Sequence, residues 1–165
     1  MERRLILMRH AKSAWATISS SDHERPLTDQ GRHDAPRVAR RLVTLGWEPE
    51  GVLSSDAQRT RETWQGMAEE LVNTPAPLFS SALYLAGLEE LWTEAHSVDA
   101  ELKTLLVLGH NPGWEMALFA LCGEDTSMTT ANAALLIGSG DDWPTALRGR
   151  WRLSEIIRPR ELDAQ

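Results

Sequence analysis

Cysteine is nearly absent: Cys122 is the only one in 165 residues. One thiol excludes an intramolecular disulfide and a zinc site built on cysteine pairs, and it fits a reduced, cytoplasmic setting. Long apolar runs are missing too, and none approaches the ~20 residues that span a bilayer. The opening Met1-Glu2-Arg3-Arg4 is basic, but the apolar run behind it is too short for a signal sequence. Positive charge is in deficit, with a formal net charge of -7 at pH 7. That argues against nucleic acid or an anionic membrane as partner, so any phosphate site has to be a local basic pocket on an acidic body. Repeats, low-complexity stretches and linkers are lacking as well. With 42% hydrophobic residues the chain can bury a core. One domain over residues 1–158 is expected, followed by a loose tail over 159–165.

What the chain does contain is an alternation of short apolar runs and helical patterns, the mark of an α/β fold. Leu5 to Met8 reads as a buried strand. Ala35, Val38, Ala39, Leu42 and Leu45 follow helical spacing, with Gly46 as a stop. Pro36 interrupts that helix if it starts at Thr28, so either a kink or a start near Asp34 is expected. Gly51 to Ser54 is strand-like, and Ser55-Asp56-Ala57-Gln58 matches a capping box with Ser55 as the cap. Ser80 to Tyr84 reads as loop or turn, with a helix somewhere in Leu88 to Leu102. Thr104 to Leu108 is the clearest strand. Asn111 is placed to cap the helix that follows, with Pro112 in its first position. Ala133 to Ile137 and Arg150 to Ile156 are expected strands joined by a turn and paired antiparallel.

Three strand-to-helix junctions carry the polar residues that matter: Arg9-His10, Ser54 to Arg59, and Gly109-His110. Parallel strands would open all three on one carboxyl edge, where ligands of open α/β sheets bind. Arg9, His10, Arg59 and His110 would then surround one point. Two guanidiniums and two imidazoles make an anion site, and planar arginine forks match phosphoryl oxygens.

Taken in order, Arg9-His10-Ala11, Ser54-Ser55 with Arg59 and Thr63, and Gly109-His110-Asn111-Pro112 resemble the histidine phosphatase superfamily. The stretch Asp22 to Arg32, with Arg25-Pro26-Leu27-Thr28 ahead of Gly31, is similar to its small, SixA-like branch. This resemblance implies a phosphoglycerate-mutase-like fold: a three-layer α/β/α sandwich with a mostly parallel central sheet and one antiparallel edge strand.

The resemblance also implies roles. His10 would be the nucleophile that accepts the phosphoryl group, its protonation disfavoured by Arg9, Arg59 and Arg25. Arg9, Arg59 and His110 would stabilise the transferring group, with Arg25 and Ser13 as further substrate contacts. Water would hydrolyse phospho-His10, and neither metal nor cofactor is expected. Two departures stand out. Larger relatives carry an asparagine after the tryptophan of the first motif, and here Ala16 follows Trp15. Larger relatives also carry a glutamate that protonates the leaving oxygen, but Tyr84-Leu85-Ala86-Gly87 offers none. Asp22, Asp56 and Glu89 remain as other donors. An imidazole leaving group needs less help than an alkoxide, which tilts the substrate toward phosphohistidine.

The expected activity is therefore that of a metal-independent phosphatase acting on a phosphorylated protein. The alternatives are a phosphatase of a small phospho-compound and a non-catalytic phosphate-binding module. No nucleic acid or membrane partner is expected, and the chain is expected to be a monomer. His23, His33 and His96 lack metal-ligand spacing and read as surface residues. Arg61 lies about 200° round its helix from Arg59 and reads as solvent-exposed. Arg37, Arg40 and Arg41 read as one solvated helix face. Trp15 and Trp114 belong either to the core or to the pocket wall.

Overall fold

A computed structural model describes residues 1–162, so residues 163–165 of the expected tail lie outside the described residues. Strand β1 (Glu2–Arg9) carries Leu5, Ile6, Leu7 and Met8, all wholly buried. Such a strand has to lie inside a sheet covered on both faces. It does: β2 (Gly51–Ser55), β3 (Leu78–Ser80), β4 (Thr104–Gly109), β5 (Ala133–Ser139) and β6 (Arg152–Ile157) complete a six-stranded sheet in the order β3-β2-β4-β1-β5-β6. The first four in that order run parallel, while β5 runs antiparallel to β1 and pairs antiparallel with the edge strand β6.

The two-residue period of a strand sends neighbouring side chains to opposite faces. Ile6 and Met8 join a core with Val38, Ala39, Leu42 and Trp64 from α1 (Asp29–Thr44) and α2 (Gln58–Ala68). Leu5 and Leu7 join another with Leu91, Leu118 and Trp143 from α3 (Leu88–Glu94), α4 (Gly113–Cys122) and α5 (Trp143–Leu147). This is the expected three-layer α/β/α sandwich. No helix among the described residues is long and apolar enough to cross a membrane.

Several local expectations change. Helix α1 starts at Asp29 and runs through Pro36, because the Thr28 hydroxyl accepts the Gly31 N–H and the buried stripe holds the rest against the sheet. Asn111 does not cap α4; its amide donates to Glu115 and to the Met128 carbonyl. The turn between β5 and β6 contains α5, capped by Asp142. Arg37 is not solvated: it pairs with Asp34, both side chains being largely buried, and donates to the Pro159 carbonyl. That contact belongs with α6 (Pro159–Leu162), so the chain stays ordered beyond Arg158 through Leu162.

Candidate active site

The sheet order decides which junctions meet. β1 and β4 are neighbours, and their register sets Arg9 beside Gly109. The His10 N–H donates to the Gly109 carbonyl at 3.1 Å, so His10 and His110 leave adjacent strands at one level. Their ring centroids are 5.4 Å apart. Gly109 is required here, because a Cβ would meet the Trp114 ring at 2.6 Å. Trp114 is accordingly core, wholly buried, with its indole N–H donating to the Met8 carbonyl.

A cleft of about 450 Å³ opens over these ends, lined by Arg9, His10, Ser13, Arg25, Arg59 and His110. All six candidates from the sequence thus converge. Lys12 and Thr130 also face it, and Trp15, 89% exposed, stands at its mouth. Arg25 arrives through pairing of the loop after β1 with the segment before α1, bridged at Ser13 and Leu27. It donates to the Ala14 carbonyl, to Ser13 Oγ at 2.9 Å and to Asp22 at 2.9 Å.

His10 is nearly buried, and Nδ1 lies 2.7 Å from the Ala11 carbonyl. A carbonyl only accepts, so Nδ1 carries the hydrogen and Nε2 keeps its lone pair. Nε2 has no hydrogen-bond partner among the described residues. The Ala11 N–H donates in turn to Thr63 Oγ1, which is fixed by the Arg59 carbonyl. Burial pushes the imidazole pKa down to about 4, with Arg59, Arg9 and Arg25 adding to the effect. Burial thus outweighs the arginines that the sequence pointed to. His110 is pushed down to about 3, again mainly by burial and then by Arg59.

Ser55 is not the helix cap that its sequence setting implied, since the cap position of α2 is Ala57. The Ser55 hydroxyl accepts the Ala57 N–H and bonds Nε2 of His110 at 2.8 Å. No sequence signal marks this role, because it depends on β2 lying next to β4. Tyr84 was also unmarked. Its ring meets His110 edge-on, and its hydroxyl donates to Asp22. Asp22 further accepts from Arg59, whose guanidinium is 3% exposed, at 3.2 Å. Tyr84, then Arg25 and Arg59, hold the Asp22 carboxyl well below the usual carboxylate range.

Among the described residues, four buried side-chain polar atoms have no partner: Arg9 Nε, Arg59 Nε, His110 Nδ1 and Asn111 Oδ1. All belong to residues that line this cleft. Unpaired buried polar atoms are costly; the two arginine Nε–H groups are donors that an anion in the cleft could meet, whereas Asn111 Oδ1 is an acceptor. The remaining candidates stand elsewhere. Asp56 pairs with His23 at 2.8 Å, Glu89 pairs with Arg148 at 2.9 Å, and Arg61 lies exposed over the Phe79 ring. His23 is half-buried against Tyr84, while His33 and His96 are exposed. Among the described residues no three His, Cys, Asp or Glu side chains group as metal ligands do.

The family model described as histidine phosphatase superfamily (branch 1) matches residues 5–79. An uncharacterized chloroplastic protein of Arabidopsis thaliana is 38% identical over 96% of this chain and 79% of that protein. The chain belongs to the histidine phosphatase superfamily. Among solved structures, the Agrobacterium tumefaciens protein assigned as a phosphohistidine phosphatase SixA is 29% identical, with a TM-score of 0.79, covering 95% of this chain and 98% of that one. A protein histidine phosphatase SixA solved with tungstate shares the fold at a TM-score of 0.79 and 23% identity, covering 96% of this chain and 99% of that one. Family and SixA-like fold together support phosphatase activity.

Proposed function

We propose that this histidine phosphatase uses His10 as a covalent nucleophile and removes phosphate from phosphohistidine in a protein. The observation that carries the reading is the state of His10: neutral, with Nδ1 tied to the Ala11 carbonyl and Nε2 free at a cationic cleft. Nε2 attacks phosphorus as the bond from phosphorus to the substrate ring breaks; that ring, protonated from solvent on its other nitrogen, takes the electron pair and leaves as neutral imidazole. Arg9, Arg59 and His110 meet the charge that spreads over the phosphoryl oxygens, and Arg25 and Ser13 extend the same wall. Water then attacks phospho-His10, the bond to Nε2 breaks, and inorganic phosphate departs.

The leaving group narrows the substrate. Asp22 is the carboxylate at the cleft, and Tyr84, Arg25 and Arg59 keep it ionised. Asp56 and Glu89 are committed to His23 and Arg148. An alkoxide leaving without a proton donor is a poor prospect, whereas imidazole, with a pKa of about 6.5 for its conjugate acid, leaves readily.

The test is turnover of a histidine-phosphorylated protein beside a panel of sugar and alkyl phosphate monoesters, with rates corrected for spontaneous hydrolysis. Phosphohistidine should be preferred by at least ~100-fold, the range that general acid catalysis supplies. Comparable rates on alkyl monoesters would remove the leaving-group argument and favour a small phospho-compound as substrate.

A further inference from the structure

Beside the cleft lies a second depression of about 460 Å³, a trough between the Leu85–Glu90 segment and the outer face of α4. Its lining is mostly apolar, with Leu85, Leu88, Pro112, Met116 and Ala120 beside the carboxylates Glu89 and Glu90. The two depressions are continuous. Leu85 lines both, and Asn111 lines the cleft while Pro112, the next residue, lines the trough.

The sequence of α4 explains the exposed wall. Trp114, Ala117, Leu118 and Leu121 fill the buried face, and the opposite face presents Met116, which lines the trough, at 68% exposure, and Phe119, outside the trough, at 57%. A surface helix that is apolar on both sides marks a face that meets another apolar surface. Leu85 adds an independent sign. Its side chain is 54% exposed although its backbone is left-handed, with φ +53°. Leucine resists that conformation, and such positions gather at ligand clamps. The opposing loops meet backbone to backbone, since a Cβ on Gly113 would fall 1.9 Å from the Ala86 carbonyl oxygen.

We propose that this trough binds the apolar surface beside the phosphohistidine on the protein substrate. The inference rests on the phosphohistidine reading above. A histidine side chain is short, so a protein that delivers its phosphate to Nε2 of His10 has to bring its own backbone to the cleft mouth. Its neighbouring surface then lies across Leu85 and onto Met116. The free amino acid phosphohistidine reaches His10 without touching Met116.

The experiment compares free phosphohistidine with a histidine-phosphorylated carrier protein, using the full chain, Met116→Asp and Met116→Lys. Met116 is exposed, so neither substitution disturbs the core. Loss of one apolar anchor should raise KM for the protein by about tenfold in both variants. Steady-state constants for free phosphohistidine should stay unchanged, and opposite charges giving one result would identify apolar contact as the cause. Unchanged kinetics on the protein would overturn the inference, as would equal losses on both substrates. Sedimentation showing a dimer that Met116→Asp separates, without a selective loss on the protein, would assign the face to a second copy instead. A parent chain inactive on both substrates would overturn the phosphohistidine reading and this inference with it.

Discussion

The Ser55 hydroxyl stands 2.8 Å from Nε2 of His110, linking the carboxyl ends of the adjacent parallel strands β2 and β4. The same oxygen accepts the Ala57 N–H and has one hydrogen to give to Nε2; in that tautomer Nδ1 of His110, which has no protein partner among the described residues, carries the ring hydrogen. An imidazole so oriented is a donor fixed before substrate arrives. Ser55→Ala removes the partner of a buried nitrogen. Stability should fall by about 1–3 kcal/mol, the cost of one unsatisfied buried group. Turnover should fall with little change in KM. Urea unfolding and steady-state kinetics check both, and a variant indistinguishable from the parent would deny the bond any role.

His10→Ala should abolish turnover while the chain remains folded. The parent should trap a phosphoenzyme that is labile to acid and stable to base, and the variant should trap none. Anion affinity retained by a parent with no turnover would instead point to a phosphate-binding module.

Arg59 makes two contacts to Asp22, one to its carbonyl at 2.8 Å and one to its carboxylate at 3.2 Å, which aim the buried guanidinium. Arg59→Ala should lower kcat/KM by roughly 10²–10³, the scale of one preorganised oxyanion contact. Asp22→Asn should cost less, because the carbonyl contact and the buried setting of Arg59 remain. The ratio of the two losses, measured on one substrate, tests whether Asp22 only positions the arginine.

The histidine pKa values give a pH dependence with a definite sign. Because His10 is pushed down to about 4, its nucleophilic form persists as pH falls below 6.5, and kcat/KM should decline only near pH 4. Stability moves the other way across that window. The unfolded chain binds a proton near pH 6.5 that folded His10 refuses until about pH 4, so stability drops as pH falls between those values. The loss is on the order of 3 kcal/mol for His10, and His110 acts in the same direction. Urea unfolding at pH 7 and pH 4.5 should show the drop, and His10→Gln should shrink it. Equal stability at the two pH values would mean that neither imidazole is held neutral.

Local pattern revealed much of this molecule. Leu5 to Met8 and Thr104 to Leu108 read as buried strands because the runs are apolar and too short for a helix. The helical stripe from Ala35 to Leu45 and the stop at Gly46 follow from spacing and backbone preference. Arg9, His10 and His110 could be placed at the cleft from the sequence because they stand at or just past the end of a strand, and Arg59 because it lies in the first turn of the helix behind one. The errors were local as well. Ser55 and Asn111 look like caps, and short polar side chains next to a helix start are read that way. His110 took the Ser55 hydroxyl, and Glu115, one turn on, together with the distant Met128 carbonyl took the Asn111 amide.

The sequence by itself determined the alternation of strands and helices and the cationic residues near the strand ends, because these are properties of near neighbours along the chain, and its single cysteine excluded an intramolecular disulfide. Only the tertiary structure decided that Ala11 fixes the tautomer of His10, that burial more than charge keeps it neutral, that Asp22 ties Arg25, Arg59 and Tyr84 together, and that an apolar trough adjoins the cleft. Those depend on strand order, on register and on how much water the packed layers exclude, quantities set by residues distant in the chain and carried by no single stretch of it.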